Sequence, residues 1–302
     1  MMSHKSKYYK VAGITLQLIS DYSISENTFH PKFKLFEVPM PGVDMITIRH
    51  HFHFPEFDEK IKKNQVEVYK KVPFHIFKSK DSWTYRYSSI FTDDIVKSAI
   101  GEMNNDYSSI NIYTEDLTQK DYSQASFNAL TLFNTDQMIF AKFLCDRNGL
   151  MIHSNGFNIN GNGILLAGIS GSGKSTLSGM LKKQNHRILC DDRMFIRKME
   201  EEFRIFGNWC YGSHPDFSNS AAPLKGLFFL EKGAQNQINE IKQKKEIVSR
   251  LSQVLVKPLL DLDGWKKYFI TIEELIKRVK FFRIEFDLSG TICNQINKLF
   301  GV

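Results

Sequence analysis

The strongest chemical signal in the chain is the run Gly168-Ile169-Ser170-Gly171-Ser172-Gly173-Lys174-Ser175, followed by Thr176. Its G-x-x-x-x-G-K-S pattern is that of a phosphate-binding loop. Gly168, Gly171 and Gly173 tolerate positive φ, so consecutive backbone N–H groups can turn inward around an anion. A helix beginning at the loop's end aims its own N–H groups at the same anion. In that arrangement Lys174 reaches the β- and γ-phosphates of a nucleotide, and the Ser175 hydroxyl ligates Mg²⁺. Gly168, Ser170, Gly171, Ser172, Gly173, Lys174, Ser175 and Thr176 are therefore the expected nucleotide-binding set.

Such a loop needs an acidic element at the end of a nearby strand to complete a Mg²⁺ site. Asp191 and Asp192 end the short apolar run Ile188-Leu189-Cys190, 17 residues after Lys174. Adjacent carboxylates raise one another's pKa, so one can ligate metal while the other accepts a proton from an attacking hydroxyl. Arg193 follows directly and suits phosphate oxygens. His153, 15 residues before Gly168, is the remaining titratable side chain on the expected preceding strand.

The elements that position these groups follow from periodicity. Leu150–Ile159 and 163–168 read as strands joined by a turn at 160–162; a helix is expected over 176–183 and a strand over 187–190. Strands are also expected at 195–199, 203–206, 224–230 and 281–288, with helical periodicity at 245–256 and 272–279. The fold class expected is α/β with a mixed sheet. Residues 1–125 differ: alternation at 11–19, 44–54, 65–71, 74–77, 83–87 and 108–113 predicts a mainly antiparallel, β-rich module. Apolar spacing from Phe127 to Leu144 predicts two helices or one broken helix. The division expected is thus a β-rich module over 1–125 and a catalytic domain over 126–302.

Gly149-Leu-Met-Ile-His153, the stretch from Gly161 through Thr176, and His186-Arg187-Ile-Leu-Cys-Asp191-Asp192-Arg193 together resemble the catalytic domain of the HPr kinase/phosphorylases, P-loop kinases of the phosphoenolpyruvate carboxykinase-like group. The resemblance covers about residues 126–230. It implies ATP and Mg²⁺ as cofactors and phosphoryl transfer to a serine hydroxyl. It places His153 in the active site with Asp191, Asp192, Arg193 and Lys174 as the catalytic set, and Ser175 and Asp192 as the metal set. Gly207 to Gly212 and Asn219 to Glu231 are similar to smaller relatives, including free-serine kinases and kinases found beside peptide-modification genes. In that comparison Asn219 and Arg250 contact substrate. The acceptor implied is a serine-containing peptide, a small protein or free serine, and relatives of this kind often form homo-oligomers. A glycine-rich signature that the bifunctional enzyme carries after its acidic pair has no match here. A nucleotide-binding module without catalysis and, less favoured, a carboxykinase-type lyase are the other readings.

Bulk properties are compatible with this. The chain has 302 residues, 42% hydrophobic and 24% charged, enough for one large or two ordinary domains. A formal net charge of +7 suits an anionic ligand, but the basic residues are scattered, so no nucleic-acid partner is expected. Four cysteines without a C-x-x-C pair suit reduced thiols in the cytoplasm. The first ten residues lack a signal-peptide core, and no apolar run is long enough to span a membrane. His50, His51 and His53 invite a metal reading, but zinc needs about four converging ligands, and sheet packing or a substrate groove is preferred. Trp83, Tyr85, Arg86 and Tyr87 form an aromatic face expected to be core.

Overall fold

Period-two alternation in the first part of the chain folds as strands. The computed structural model describes residues 4–55, 64–169, 171–212, 215–233, 235–258 and 262–300. The chain divides into two units, residues 1–139 and 140–302.

The first unit holds β1 (His4–Val11), β2 (Ile14–Ile24), β3 (Glu37–Val38), β4 (Met45–His51), β5 (Val66–Lys71), β6 (Phe74–Lys78), β7 (Ser82–Ser88), β8 (Ser98–Asn104) and β9 (Ser109–Tyr113), then α1 (Gln119–Gln124). The strands form one sheet in the order β3-β1-β2-β4-β9-β8-β7-β6-β5. It is more mixed than the alternation suggested, because β2–β4 and β4–β9 pair in parallel. The strand expected over 11–19 is broken by a hairpin turn at Ala12 and Gly13, with φ of 51° and 77°. Trp83, Tyr85 and Tyr87 are core residues, and the Arg86 guanidinium lies 5.2 Å from the Phe77 ring.

His50 is fully buried on the face that Ile46 and Ile48 share. Its Nδ1 lies 3.0 Å from the Tyr122 hydroxyl and its Nε2 2.8 Å from the Leu130 carbonyl oxygen. Burial pushes this imidazole down to about 3, so it is a neutral core histidine.

The helix expected from Phe127 begins only at Asp136, as α2 (Asp136–Cys145), which contains the division between the units. Upstream, polar side chains take the bonds that a helix would need. Asp136 accepts from the Leu130 N–H at 3.1 Å and the Thr131 hydroxyl at 3.0 Å, and Leu132 sits at φ 68°.

The second unit contains β10 (Gly149–Ile159), β11 (Asn162–Ala167), α3 (Lys174–Lys183), β12 (Arg187–Cys190), β13 (Arg193–Met199), β14 (Glu202–Phe206), β15 (Ala221–Glu231), β16 (Gln237–Glu240), α4 (Lys244–Val254), α5 (Leu262–Arg278), β17 (Lys280–Glu285) and α6 (Thr291–Leu299). Its sheet runs β11-β10-β13-β14-β15-β17-β16, with β12 on β10 and a parallel pairing of β11 with β15. The β10–β11 turn has Asn160 and Gly161 at φ 49° and 87°, the two positive values of a tight hairpin.

The apolar run Ile164-Leu165-Leu166 is continuous because both of its faces are covered. Ile164 and Leu166 pack with Leu177 and Leu181 of α3 and Ile292 and Ile296 of α6. Leu165 and Ala167 pack on the other side, in the cluster that holds Leu251 of α4 and Leu275 of α5. Burying each such side chain contributes about 1.5–3 kcal/mol, so the strand carrying the loop is fixed from above and below. Among the described residues no helix is long and apolar enough to cross a membrane.

Candidate functional site

Two strands bring the chemistry together. β10 lies between β11 on one edge and β13 on the other: His153 lies opposite Arg193 of β13, and the next residue, Ser154, lies opposite Ala167 of β11. One strand thus places His153 between the acidic turn and the strand that feeds the glycine-rich loop.

The loop itself is built by its glycines. Gly171 and Gly173 have φ of 77° and 97°. A Cβ at Gly168 would stand 2.4 Å from Ser172 Oγ, and one at Gly173 would stand 2.8 Å from the Phe286 ring. The Ser172 N–H donates to the Ile169 carbonyl at 3.1 Å, which closes the turn into α3. Ser170 lies outside the described residues. Ser172 Oγ is buried and has no hydrogen-bond partner among the described residues, which leaves it available to a group entering the loop. The glycine cradle and this orphaned hydroxyl fit a bound phosphate chain. Lys174 folds back on the loop, donating from Nζ to the Gly168 carbonyl at 2.6 Å and the Ile169 carbonyl at 3.3 Å.

The acidic turn after β12 is held from several sides. His153 Nδ1 lies 3.1 Å from Asp192 Oδ1, and the Arg193 guanidinium contacts Asp192 Oδ2. Asp192 is a non-glycine residue at φ 74°, a conformation that persists only where its surroundings impose it. The N–H of Asp191 donates to the Asp216 carbonyl at 2.9 Å, and the Asp216 carboxylate accepts from Lys182 Nζ of α3 at 2.6 Å. Asp191 is buried and Asp192 half-buried.

The electrostatics link the turn to the loop. Burial lowers the His153 pKa; Asp192 and Asp191 oppose this, while Lys174 and Arg193 reinforce it. The imidazole is therefore neutral at pH 7, with Nδ1–H donating to the Asp192 carboxylate and Nε2 left as an acceptor. Burial also lowers the pKa of Lys174, with Asp192 and Asp191 pulling the other way. Lys174, His153, Asp191, Asp192 and Arg193 are thus one interacting group. Hydroxyl and carboxylate oxygens at Ser175, Asp191 and Asp192 are the hard donors that Mg²⁺ takes, and they fit that ion rather than a softer metal. Cys190, beside them, is pushed up to about 12 by burial and is no nucleophile at neutral pH.

Ser175 and Thr176 are exposed on the first turn of α3. Asn219 is exposed on the segment before β15. Arg250 of α4 lines a cavity of about 690 Å³ that Gly168 and Ile169 also line, with Lys245 and Arg283. It is held by Glu231 at 2.5 Å and Glu246 at 2.9 Å.

Three contributors were not legible in sequence. Asn155 joins the acidic turn to α3. Asn208 is fully buried and donates to the Arg193 carbonyl at 2.9 Å while accepting from the Cys210 N–H at 2.7 Å. Gly212 lies so close that a Cβ there would stand 2.7 Å from Asp192 Cβ. The glycines flanking Asn-Trp-Cys-Tyr were a signal of close backbone approach, and the loop's place against Asp192 gives that signal its reason.

The HPr kinase/phosphorylase of Peptoclostridium acidaminophilum is 26% identical over 164 residues, 49% of this chain and 48% of that protein. That of Caldanaerobacter subterraneus subsp. tengcongensis is 27% identical over 138 residues, 45% and 40%. That of Bacillus cereus (strain B4264) is 34% identical over 76 residues, 25% and 23%. The chain spans about half the length, or less, of these curated relatives. A solved structure, the HPr(Ser) kinase/phosphatase from Coxiella burnetii, aligns with TM-score 0.29 and 13% identity, covering 50% of this chain and 99% of that one. The fold is α/β and HPr-kinase-like. The model of one family, SynChlorMet cassette protein ScmC, matches residues 119–301, and the chain belongs to that family.

Proposed function

We propose that this protein is an ATP- and Mg²⁺-dependent kinase that transfers the γ-phosphoryl group to a serine hydroxyl of a peptide or small protein. The observation that carries the reading is a glycine-built turn leading into α3 that is held, through Lys182 and Asp216, to the acidic turn where His153, Asp192 and Arg193 meet. In the reaction, the acceptor oxygen bonds to the γ-phosphorus as the bond to the β–γ bridging oxygen breaks. Lys174 and the amides of Gly171 to Lys174 hold the β- and γ-phosphates, and Lys174 leaves the Gly168 and Ile169 carbonyls to do so. Ser175 and Asp192 would hold Mg²⁺, which when bound offsets the charge of the phosphate oxygens. Asp191 takes the proton of the hydroxyl, and neutral His153, tied to Asp192 through Nδ1, orients the pair and shares that proton. Arg193 steadies Asp192 and adds positive charge for the transferring group.

The acceptor is assigned to the cavity beside Gly168 and Ile169, with Arg250 as its contact there and Asn219, which does not line that cavity, as a separate contact. The cavity's size lies in the range of ligand sites, and Lys245, Arg250 and Arg283 favour an acceptor with acidic groups near its serine. All residues given roles lie in the second unit, which we take as the catalytic domain, working in the cytoplasm.

The test is transfer from γ-labelled ATP with Mg²⁺ to free serine and to a library of serine-containing peptides. Labelled phosphoserine in a peptide, absent with Asp191→Ala and Asp192→Ala, is the expected result. Phosphorylation of free serine alone would move the assignment to a small-molecule kinase. Nucleotide binding with no transfer to any acceptor would leave a binding module and sink the kinase reading.

A further inference from the structure

Asn155 is the third of three consecutive β10 residues that each take a different part of Asp192. The His153 ring meets its carboxylate at 3.1 Å. The Ser154 N–H donates to its carbonyl at 3.0 Å. The Asn155 side chain accepts from its backbone N–H at 3.1 Å through Oδ1. A backbone N–H only donates, so the amide's orientation is fixed and Nδ2 must face the other way. There it donates to the Ser178 hydroxyl of α3 at 2.8 Å. Asn155 is 1% exposed and Ser178 5%, so neither bond competes with bulk water.

This bridge has a consequence for the site. Asp192 sits at φ 74°, against its intrinsic preference, and its position is set by what surrounds it. α3 is the helix that begins at Lys174 and carries Ser175 and Thr176 on its first turn. A buried amide joining the Asp192 backbone to the second turn of that helix sets the distance between the acidic turn and the phosphate loop. We infer that Asn155, through Ser178, is a positioning residue that registers Asp192 to the phosphate-loop helix so that Asp192 and Ser175 serve one Mg²⁺–nucleotide. This rests on the kinase reading above. Asn155 touches neither nucleotide nor acceptor, so its effect should fall on metal-dependent binding and leave the cradle's hold on phosphates intact.

The experiment is calorimetric titration of ADP, with and without Mg²⁺, into wild type, Asn155→Ala, Ser178→Ala, the double variant and Ser178→Thr. Wild type should bind ADP more tightly with Mg²⁺. In Asn155→Ala and Ser178→Ala that gain should fall by about tenfold, as for other residues that support metal ligands from behind. Metal-free ADP affinity should stay within about twofold. The double variant should be no worse than the worse single one, because both remove the same link. Ser178→Thr keeps the hydroxyl and should keep the wild-type gain. If Asn155→Ala does not fold, Ser178→Ala decides alone, since its serine makes the far end of the bridge. A wild-type gain in Ser178→Ala would overturn the inference, as would an equal loss of metal-free binding. Absence of any Mg²⁺-dependent gain in wild type would instead bring down the kinase reading, and the inference with it.

Discussion

The imidazole of His153 stands 3.1 Å from the carboxylate of Asp192, although the two are 39 residues apart in the chain and meet only because β10 pairs with β13, which follows the acidic turn. Burial keeps the imidazole neutral, so the pair works as donor and acceptor rather than as two fixed charges. Replacing Asp192 with Asn should remove the negative charge that His153 and Arg193 share and turn one of their two acceptor oxygens into a donor. Transfer is expected to fall by a factor on the order of 10² to 10⁴, the range of a lost acid–base or metal-binding group. Metal-free ADP binding should persist by calorimetry. Transfer within a few-fold of wild type would remove Asp192 from the site.

Glycine substitutions in the loop should separate backbone strain from steric contact. Gly171→Ala places a Cβ in open space at φ 77°, so only the left-handed backbone is penalised, by about 1–2 kcal/mol. Gly173→Ala adds a contact of 2.8 Å with Phe286 at φ 97°. Thermal melts should show a lower midpoint for both and the larger drop for Gly173→Ala. Equal drops would mean that Phe286 yields freely.

Acid should destabilise the first unit through His50. Its folded pKa is about 3, against 6.5 for an unperturbed imidazole, so the unfolded chain binds the extra proton between those values. The stability from its burial is whole above about pH 6.5 and declines as pH falls toward 3, by about 1.4 kcal/mol per pH unit. Urea melts of wild type and His50→Gln across pH 7 to 5 should show the steeper loss in wild type. Parallel curves would mean that His50 finds water when protonated.

Arg250→Ala should raise the acceptor KM by about tenfold while nucleotide affinity stays unchanged, as expected of a charged contact to substrate alone. Glu231 and Glu246 each lose an ion pair in that variant, Glu246 keeping Arg283 at 3.6 Å, so a circular dichroism melt should accompany the kinetics. A rise in nucleotide Kd of the same size would put Arg250 on the nucleotide side of the cavity.

The turn from β11 into α3 was legible because its backbone takes positive φ at Gly171 and Gly173, and glycine spacing writes that geometry directly into sequence. The strand before it was legible too, since Ile164-Leu165-Leu166 must be apolar when both faces are covered. Asp191 and Asp192 were marked by their place after a short apolar strand. Asn155, Asn208 and Gly212 were not: each acts through a partner far away in the chain, and an isolated Asn in a strand carries no periodic signal. The helix expected from Phe127 failed for a different reason. Thr131 and Asp136 supply local hydrogen bonds that outcompete a helix whose apolar spacing alone looked sufficient. Likewise Ala12 and Gly13 broke a strand that residue pattern joined, because a turn at positive φ was hidden within an apolar run.

The most direct measurement is calorimetric titration of ATP with Mg²⁺ into wild type and Lys174→Ala, with phosphoryl transfer followed in the same samples. Binding and transfer in wild type, with affinity reduced at least about tenfold in the variant, is the expected result. No binding in wild type, or equal binding in both proteins, would contradict a phosphate cradle closed by Lys174 and the kinase built on it.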